Sequence, residues 1–200
     1  MTAVARAETQ RPQSFGGREL AKADADNFRA AMRQLACGVS LITVGAGAER
    51  RGMTATAVSS LSVEPPTLIV CVNRTASMYP GLVRGGAFGV SILAAGGQEI
   101  ADRFAGRTGV NGAERFDEGR WLIAPSGVSL FADSVSAFEC EVEDVIERHS
   151  HAVVIGAVKR IAVQGGDGAL VYWRGDYDRL GWSAEEVSRA VGLSPSVRRG

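Results

Sequence analysis

A mainly β domain with a few helices is predicted for this chain, on three observations. Short runs rich in Val, Ile, Thr and Ser recur along it, each bounded by Gly, Pro, Asn or Asp, as brief strands joined by turns would be. Helical spacing is confined to one stretch after Asp24 and another after Gln98, with a short helix expected between glycine-rich ends over 77–86. The 200 residues suffice for one domain with a real core and are too few for two comfortable ones. Many strands and few helices imply a closed or sandwiched β architecture.

In chain order, residues 1–20 mix Ala, Glu, Gln, Arg and Pro without periodicity and read as a flexible arm. A domain over 21–182 follows. Phe28, Ala31, Met32, Leu35 and Ala36 recur at helical spacing, with Asp24 or Asp26 as cap and Gly38 as stop. One amphipathic helix lying on a sheet is expected there. Val39 to Val44 is a strand, and the segment from Gly45 to Gly52 is a hairpin-type connection. Its Gly-x-Gly is no dinucleotide fingerprint, because Arg50 stands where the third glycine belongs and a strand follows in place of a helix.

The stretch from Gly52 to Pro66 is crowded with small and hydroxylated side chains and closed by Pro65-Pro66. Thr, Ser and Val favour extended backbone, so it reads as a strand running into a loop with a rigid corner. Small side chains would let a flat ligand lie close to the main chain, with N–H groups and hydroxyls free for its polar edge. An ordinary Thr/Ser-rich edge strand fits the same composition.

Leu68 to Val72 is a short apolar strand of the fully buried kind, and Phe88 to Leu93 is another strand. Ile100, Ala101 and Phe104 have helical spacing, and a glycine-rich loop over 106–112 follows. The second half reads as a meander. Its strands are Trp121 to Ile123, Val128 to Phe131, Ala137 to Ile146, Ala152 to Val158 and Leu170 to Arg174, the last after a turn over 164–168. Residues 183–200 have weak helical character and read as a tail.

The 22 basic and 22 acidic residues balance, which argues against a broad nucleic-acid surface. No apolar run approaches bilayer-spanning length, and the first residues lack a signal-type apolar segment, so no membrane partner and a cytoplasmic location are expected. Cys37, Cys71 and Cys140 are far apart and sit among apolar neighbours, so all three are expected reduced and none catalytic. No bound metal is expected.

Order along the chain adds what composition cannot. The succession of 38–44, the Gly52 to Pro66 stretch and Thr67 to Ser77 resembles the flavin reductase family of short-chain, FMN-binding split-barrel proteins. These are the reductase partners of two-component flavin-dependent monooxygenases. The resemblance runs from about Phe28 to Leu180, and it implies an FMN-binding split β-barrel.

It also implies a site. Met53, Thr54, Ala55 and Thr56, with Ser59 behind them, match the family's Gly-Met-Thr-Ala-Ser-Ser segment along the isoalloxazine and ribityl chain, although Ala57 lacks the second hydroxyl. Asn73-Arg74-Thr75-Ala76-Ser77 matches its Asn-Arg-Ser-Ser-Ser segment, which assigns Asn73, Arg74, Thr75 and Ser77 to the flavin phosphate. Physically that segment offers a charge-assisted donor and the start of a helix at Ser77. A surface arginine beside a capped helix reads equally well from the residues alone. Phe104 and Ala105 match a helix end that approaches the flavin, and Phe104 alone reads as plain core.

His151, five residues before Gly156, matches the histidine of Gly-Asp-His-x-x-x-x-Gly-x-Val, which lies near the nicotinamide in relatives. His149 stands in place of that glycine and Ser150 in place of the aspartate. A histidine pair two apart on a strand could also bind metal, but no third ligand is evident nearby. Tyr172 and Tyr177 match the aromatic close of the barrel, where a core or interface role is the simpler one.

The expected activity is therefore an NAD(P)H:flavin oxidoreductase. Its cofactors would be FMN or FAD and NADH or NADPH, with a homodimer and a separate monooxygenase as partners. A split-barrel oxidase that retains its flavin and a non-catalytic flavin-binding module are the rivals. No Ser-His-Asp set, P-loop or paired carboxylates stand out, as hydride transfer between two cofactors would allow.

Overall fold

The computed structural model describes residues 16–17, 20–84, 86–165 and 168–181. The expected arm, apart from Gly16, Gly17 and Leu20, lies outside them, as do the tail over 183–200 and residues 166–167 of the last turn. The chain divides into two units, 1–35 and 36–200.

In the first unit, helix α1 (Ala25–Met32) starts where the sequence places it. The Asp24 carboxylate accepts from the N–H groups of Asp26 and Asn27 at 3.1 and 2.9 Å, satisfying two of the orphan donors of a helix start. The helix stops at Met32, well before Gly38, because Cys37–Gly38 is already a strand, β1. The apolar face expected to be covered is exposed in this chain, with no buried residue on α1.

The second unit is built on a seven-stranded antiparallel sheet. Its strands are β2 (Ser40–Val44), β3 (Arg51–Ala55), β4 (Val58–Ser62), β5 (Thr67–Asn73), β6 (Ala87–Leu93), β9 (Ser134–Arg148) and β10 (His151–Val163). The order across the sheet is β3-β2-β6-β9-β10-β5-β4. Its two edges, β3 and β4, are consecutive in sequence and joined only by Thr56-Ala57. A sheet whose opposite edges are tied by so short a link must curl until those edges meet at it. The result is a split barrel.

This corrects one expectation. The stretch from Gly52 to Ser62 is two strands on opposite edges, where a single strand was expected. Thr and Ser favour extended backbone on both sides of the break, so local propensity carries no mark of it.

The curled sheet encloses Ile42, Val70, Val72, Phe88, Val90, Cys140 and Val154, all fully buried. Helix α2 (Tyr79–Val83) adds Tyr79 and Leu82 to that core. A second core lies on the other face of β2. There Val39, Leu41 and Leu93 pack with α3 (Gln98–Phe104), with Phe131 of β8 (Ser129–Phe131) and with Leu170 of β11 (Ala169–Trp173). β7 (Trp121–Ile123) pairs with β8. β12 (Asp176–Leu180), which lies beyond the last expected strand, pairs with β11, and Arg174 and Gly175 turn between them at φ 55° and 99°.

No helix among the described residues is long and apolar enough to cross a membrane. No disulfide joins the three cysteines among those residues, and burial pushes the Cys140 thiol up to about 12.

Candidate active site

The split leaves β3 and β4 each hydrogen-bonded on one side only. Each therefore turns a rank of backbone N–H and C=O groups toward the gap. On β3, Gly52 belongs to that open rank, because its carbonyl accepts from Arg115 Nη1 at 3.2 Å. Strand alternation puts the N–H and C=O of Thr54 on the same edge.

Side-chain direction sorts the predicted flavin residues. Met53 is partly buried and packs against the barrel core, and Ala55 is buried within it, so Ala55 offers a ligand only its main chain. Thr54 points the other way, and its hydroxyl donates to the Ala101 carbonyl of α3 at 2.6 Å. Thr56 is half-buried at the link, and Ala57 and Ser59 are exposed. The Ser59 hydroxyl donates to Ser60 O at 3.2 Å.

Phe104 lies in the second core at 1% exposure, stacked edge-on against Phe116 with ring centroids 4.9 Å apart. A Cβ on Gly52 would lie 2.6 Å from Phe104 Cε1 and 2.9 Å from Ile42 O. Glycine is thus what lets β3 sit directly on the ring. Phe104 buttresses that strand from beneath, and its own face is covered. Ala105, at the helix end, is exposed.

Arg115 was not singled out from the sequence. Its guanidinium gathers the carbonyls of Gly52, Phe104 and Val110 at 3.2, 3.1 and 2.9 Å, pinning β3, the end of α3 and the following loop together. Burial pushes its pKa below the usual arginine value. No short-range signal marks this residue, because two of its three partners lie more than ten positions away in the chain.

The segment after β5 is ordered by Asn73. Its side-chain oxygen accepts from both the N–H and the hydroxyl of Thr75 at 2.9 Å, an Asx turn. Ser77 is exposed but does not start a helix. The cap position of α2 is Met78, which makes no side-chain cap bond, and the helix has five residues. The anion attraction expected from a helix start at Ser77 is correspondingly small. Arg74 is exposed, and its Nη2 lies 2.8 Å from Glu147 Oε2.

Across the sheet, His151 pairs with Asn73 of β5 and with Arg148 of β9. Directly paired residues share a face, so His151 and Asn73 stand together on the outer side of the barrel. Ser59, paired with Ile69 of β5, stands on that side too. The neighbouring row, Val72, Ala152 and Glu147, faces the core side.

His149 lies in the turn before β10 with φ +51°, a left-handed conformation that glycine adopts freely and other residues at a cost of about 1–3 kcal/mol. A histidine thus holds a left-handed turn position that suits glycine. Ser150 Oγ lies 2.9 Å from His151 Nδ1, so a hydroxyl touches the imidazole. Because His149 sits in the turn and His151 on the strand, the pair does not share a strand face. Among the described residues no group of three metal-ligating side chains forms. Tyr172 and Tyr177 pack against the second core, edge to face at 5.4 Å.

Residues 32–181 match the family described as flavin reductase like domain. The chain belongs to the flavin reductase family. An FMN reductase (NADH) named RutF from Methylorubrum populi is 40% identical over 184 residues, 86% of this chain and 89% of the relative. Its namesake from Variovorax paradoxus is 37% identical, over 80% and 87%.

Among solved structures, the NADH:FAD oxidoreductase SgcE6 of Streptomyces globisporus C-1027 matches with TM-score 0.75 at 30% identity, covering 84% of this chain and 99% of that one. BorF, the flavin reductase component of a bacterial two-component tryptophan halogenase, matches with TM-score 0.73 at 31% identity, covering 79% and 99%. The split barrel expected from the motif order is thus the family's fold, and this flavin reductase is an oxidoreductase of the nicotinamide-dependent kind.

Proposed function

We propose that this flavin reductase draws on NADH, takes FMN as its acceptor, and releases reduced FMN to a separate oxygenase component. FAD and NADPH are the competing ligands. The observation that carries this reading is the split itself. Two unpaired backbone edges meet at a link of small residues, with Asn73 and His151 side by side on the outer face near it. A planar heteroaromatic ring with a donor–acceptor rim fits such a gap, because it can take up backbone groups that the sheet leaves unused.

The main chain from Met53 to Thr56 and the β4 edge at Ser59 would hold the ring and the ribityl chain. Thr75 and Ser77, exposed beyond the Asx turn, would meet the phosphate with Asn73 ordering them. Phe104 and Arg115 keep β3 rigid from behind, and Ala105 is the exposed end of that support. His151, exposed at the start of β10, would face the nicotinamide.

The reaction is a hydride passing between two ligands, so the chain contributes binding and orientation. Holding two reactants in register is worth roughly 7–11 kcal/mol of barrier in favourable cases. His151 then polarises or positions and is not an essential base. A homodimer in the cytoplasm completes the proposal. Leu61, Val63, Ile161 and Val163 are exposed apolar side chains of the kind that a second copy would cover.

Stopped-flow mixing of the protein with each flavin and each nicotinamide tests the reading. FMN with NADH should bleach fastest, and only when free flavin is added. NADH oxidation that needs no added flavin would instead identify an oxidase that retains it. Tight flavin binding without turnover would identify a binding module.

A further inference from the structure

Arg74 is the cation that the family resemblance offers to the flavin phosphate, yet its bonds run elsewhere. Its Nη2 pairs with Glu147 at 2.8 Å, its Nη1 donates to His149 O at 3.1 Å, and its backbone N–H donates to Ser150 O at 3.0 Å. All three partners belong to the turn between β9 and β10 or to the residues just before it. Glu147 is gripped from a second side by Tyr79 Oη at 2.5 Å. The carbonyl that Arg74 holds is that of His149, the residue strained to φ +51°.

We propose that Arg74, backed by Glu147 and Tyr79, is a positioning residue that clamps the 149–150 turn and so fixes His151 beside Asn73, and that it is not the receptor of the flavin phosphate. With side chains 42% and 48% exposed, the Arg74–Glu147 pair alone would be a weak tie. What makes it a clamp is convergence. One guanidinium holds a carboxylate and a carbonyl of the same turn, while its own amide holds a third point. A left-handed histidine persists only where its surroundings over-determine it. A phosphate on the same guanidinium would also approach the Glu147 carboxylate, and like charges repel.

The kinetic part rests on His151 facing the nicotinamide, and the clamp itself does not. Four variants separate the two: Arg74→Ala, Glu147→Gln, His149→Gly, and Arg74→Ala combined with His149→Gly. Amide hydrogen exchange over 149–151 reads the turn. Affinities for FMN and for riboflavin, which lacks the phosphate, read the anion site. Single-turnover reduction by NADH reads His151.

Arg74→Ala should speed exchange at the turn about tenfold and change the affinities for FMN and riboflavin alike. It should also slow reduction. Adding His149→Gly should restore slow exchange and most of the rate, because a glycine turn needs no clamp. Glu147→Gln, which removes the charge and leaves an amide for Tyr79, should loosen the turn in the same direction, and it carries the test should Arg74→Ala not fold.

Unchanged exchange in both single variants overturns the clamp. So does an FMN affinity that drops about tenfold, or 1.4 kcal/mol, while riboflavin's does not. Faster exchange and glycine rescue with an unaltered reduction rate would uphold the clamp and remove His151 from the mechanism.

Discussion

Thr54 Oγ1 donates to the main-chain oxygen of Ala101 at 2.6 Å, and this bond ties the open edge of the barrel to the helix behind it. Ala101 is fully buried, and its carbonyl also accepts the helix-end bond from the Ala105 N–H at 2.8 Å. Replacing Thr54 with Val keeps the shape and removes the tie. Thr54→Val should cost about 1 kcal/mol in urea unfolding. It should also weaken flavin binding, since β3 loses a fixed point. A variant as stable as the parent would mean that α3 holds its place without this bond.

His151→Ala should slow reduction by NADH more than it weakens flavin binding. A positioning or polarising role predicts a loss of roughly tenfold, short of the 10²–10⁴ of general acid–base groups. Titrating flavin by fluorescence and measuring single turnovers separates the two. Equal losses, or none, would take the imidazole out of the reaction.

Gly156 sits against the buried ring of Phe88, where an added Cβ would come within 2.7 Å of Cε1 and 3.2 Å of Cys140 Cβ. A fully buried ring in a packed barrel has little room to retreat. Gly156→Ala should therefore destabilise by about 1–3 kcal/mol. Its urea midpoint tests this, and an unshifted value would show that the barrel can relax.

Glu139 is 2% exposed and accepts from the Ser126 N–H and from Arg160 Nη1, both at 2.9 Å. Burial alone would raise its pKa, but the Ser126 hydrogen bonds and the Arg160 charge outweigh it and hold the carboxyl below its ordinary value. A depressed folded pKa gives stability that is complete above the unfolded value, about 4.3, and is lost as pH falls through the folded one. As pH falls below about 4.3, the parent should lose stability more steeply than Glu139→Gln. Parallel curves would show that another group governs the acid limb.

Much of this molecule is legible in its sequence. Alternation and turn residues mark most of the strands, Asp24 marks the start of α1, and the spacing of Ile100, Ala101 and Phe104 marks α3. The order of motifs around Gly52, Asn73 and His151 is enough to point to a flavin reductase. Gly52 and Gly156 each have a steric reason visible only in three dimensions, yet both are readable in advance as fixed points of a pattern.

What only the tertiary structure decides is which groups are already spoken for. Phe104 is a buttress, Met53 and Ala55 turn inward, and Arg74 is held by Glu147 and His149. The Thr/Ser run becomes both edges of one sheet. The physical reason is range. Backbone preference and periodicity act over a few residues, whereas Arg74 and Glu147 meet across 73 positions of chain through strand pairing that no local pattern encodes.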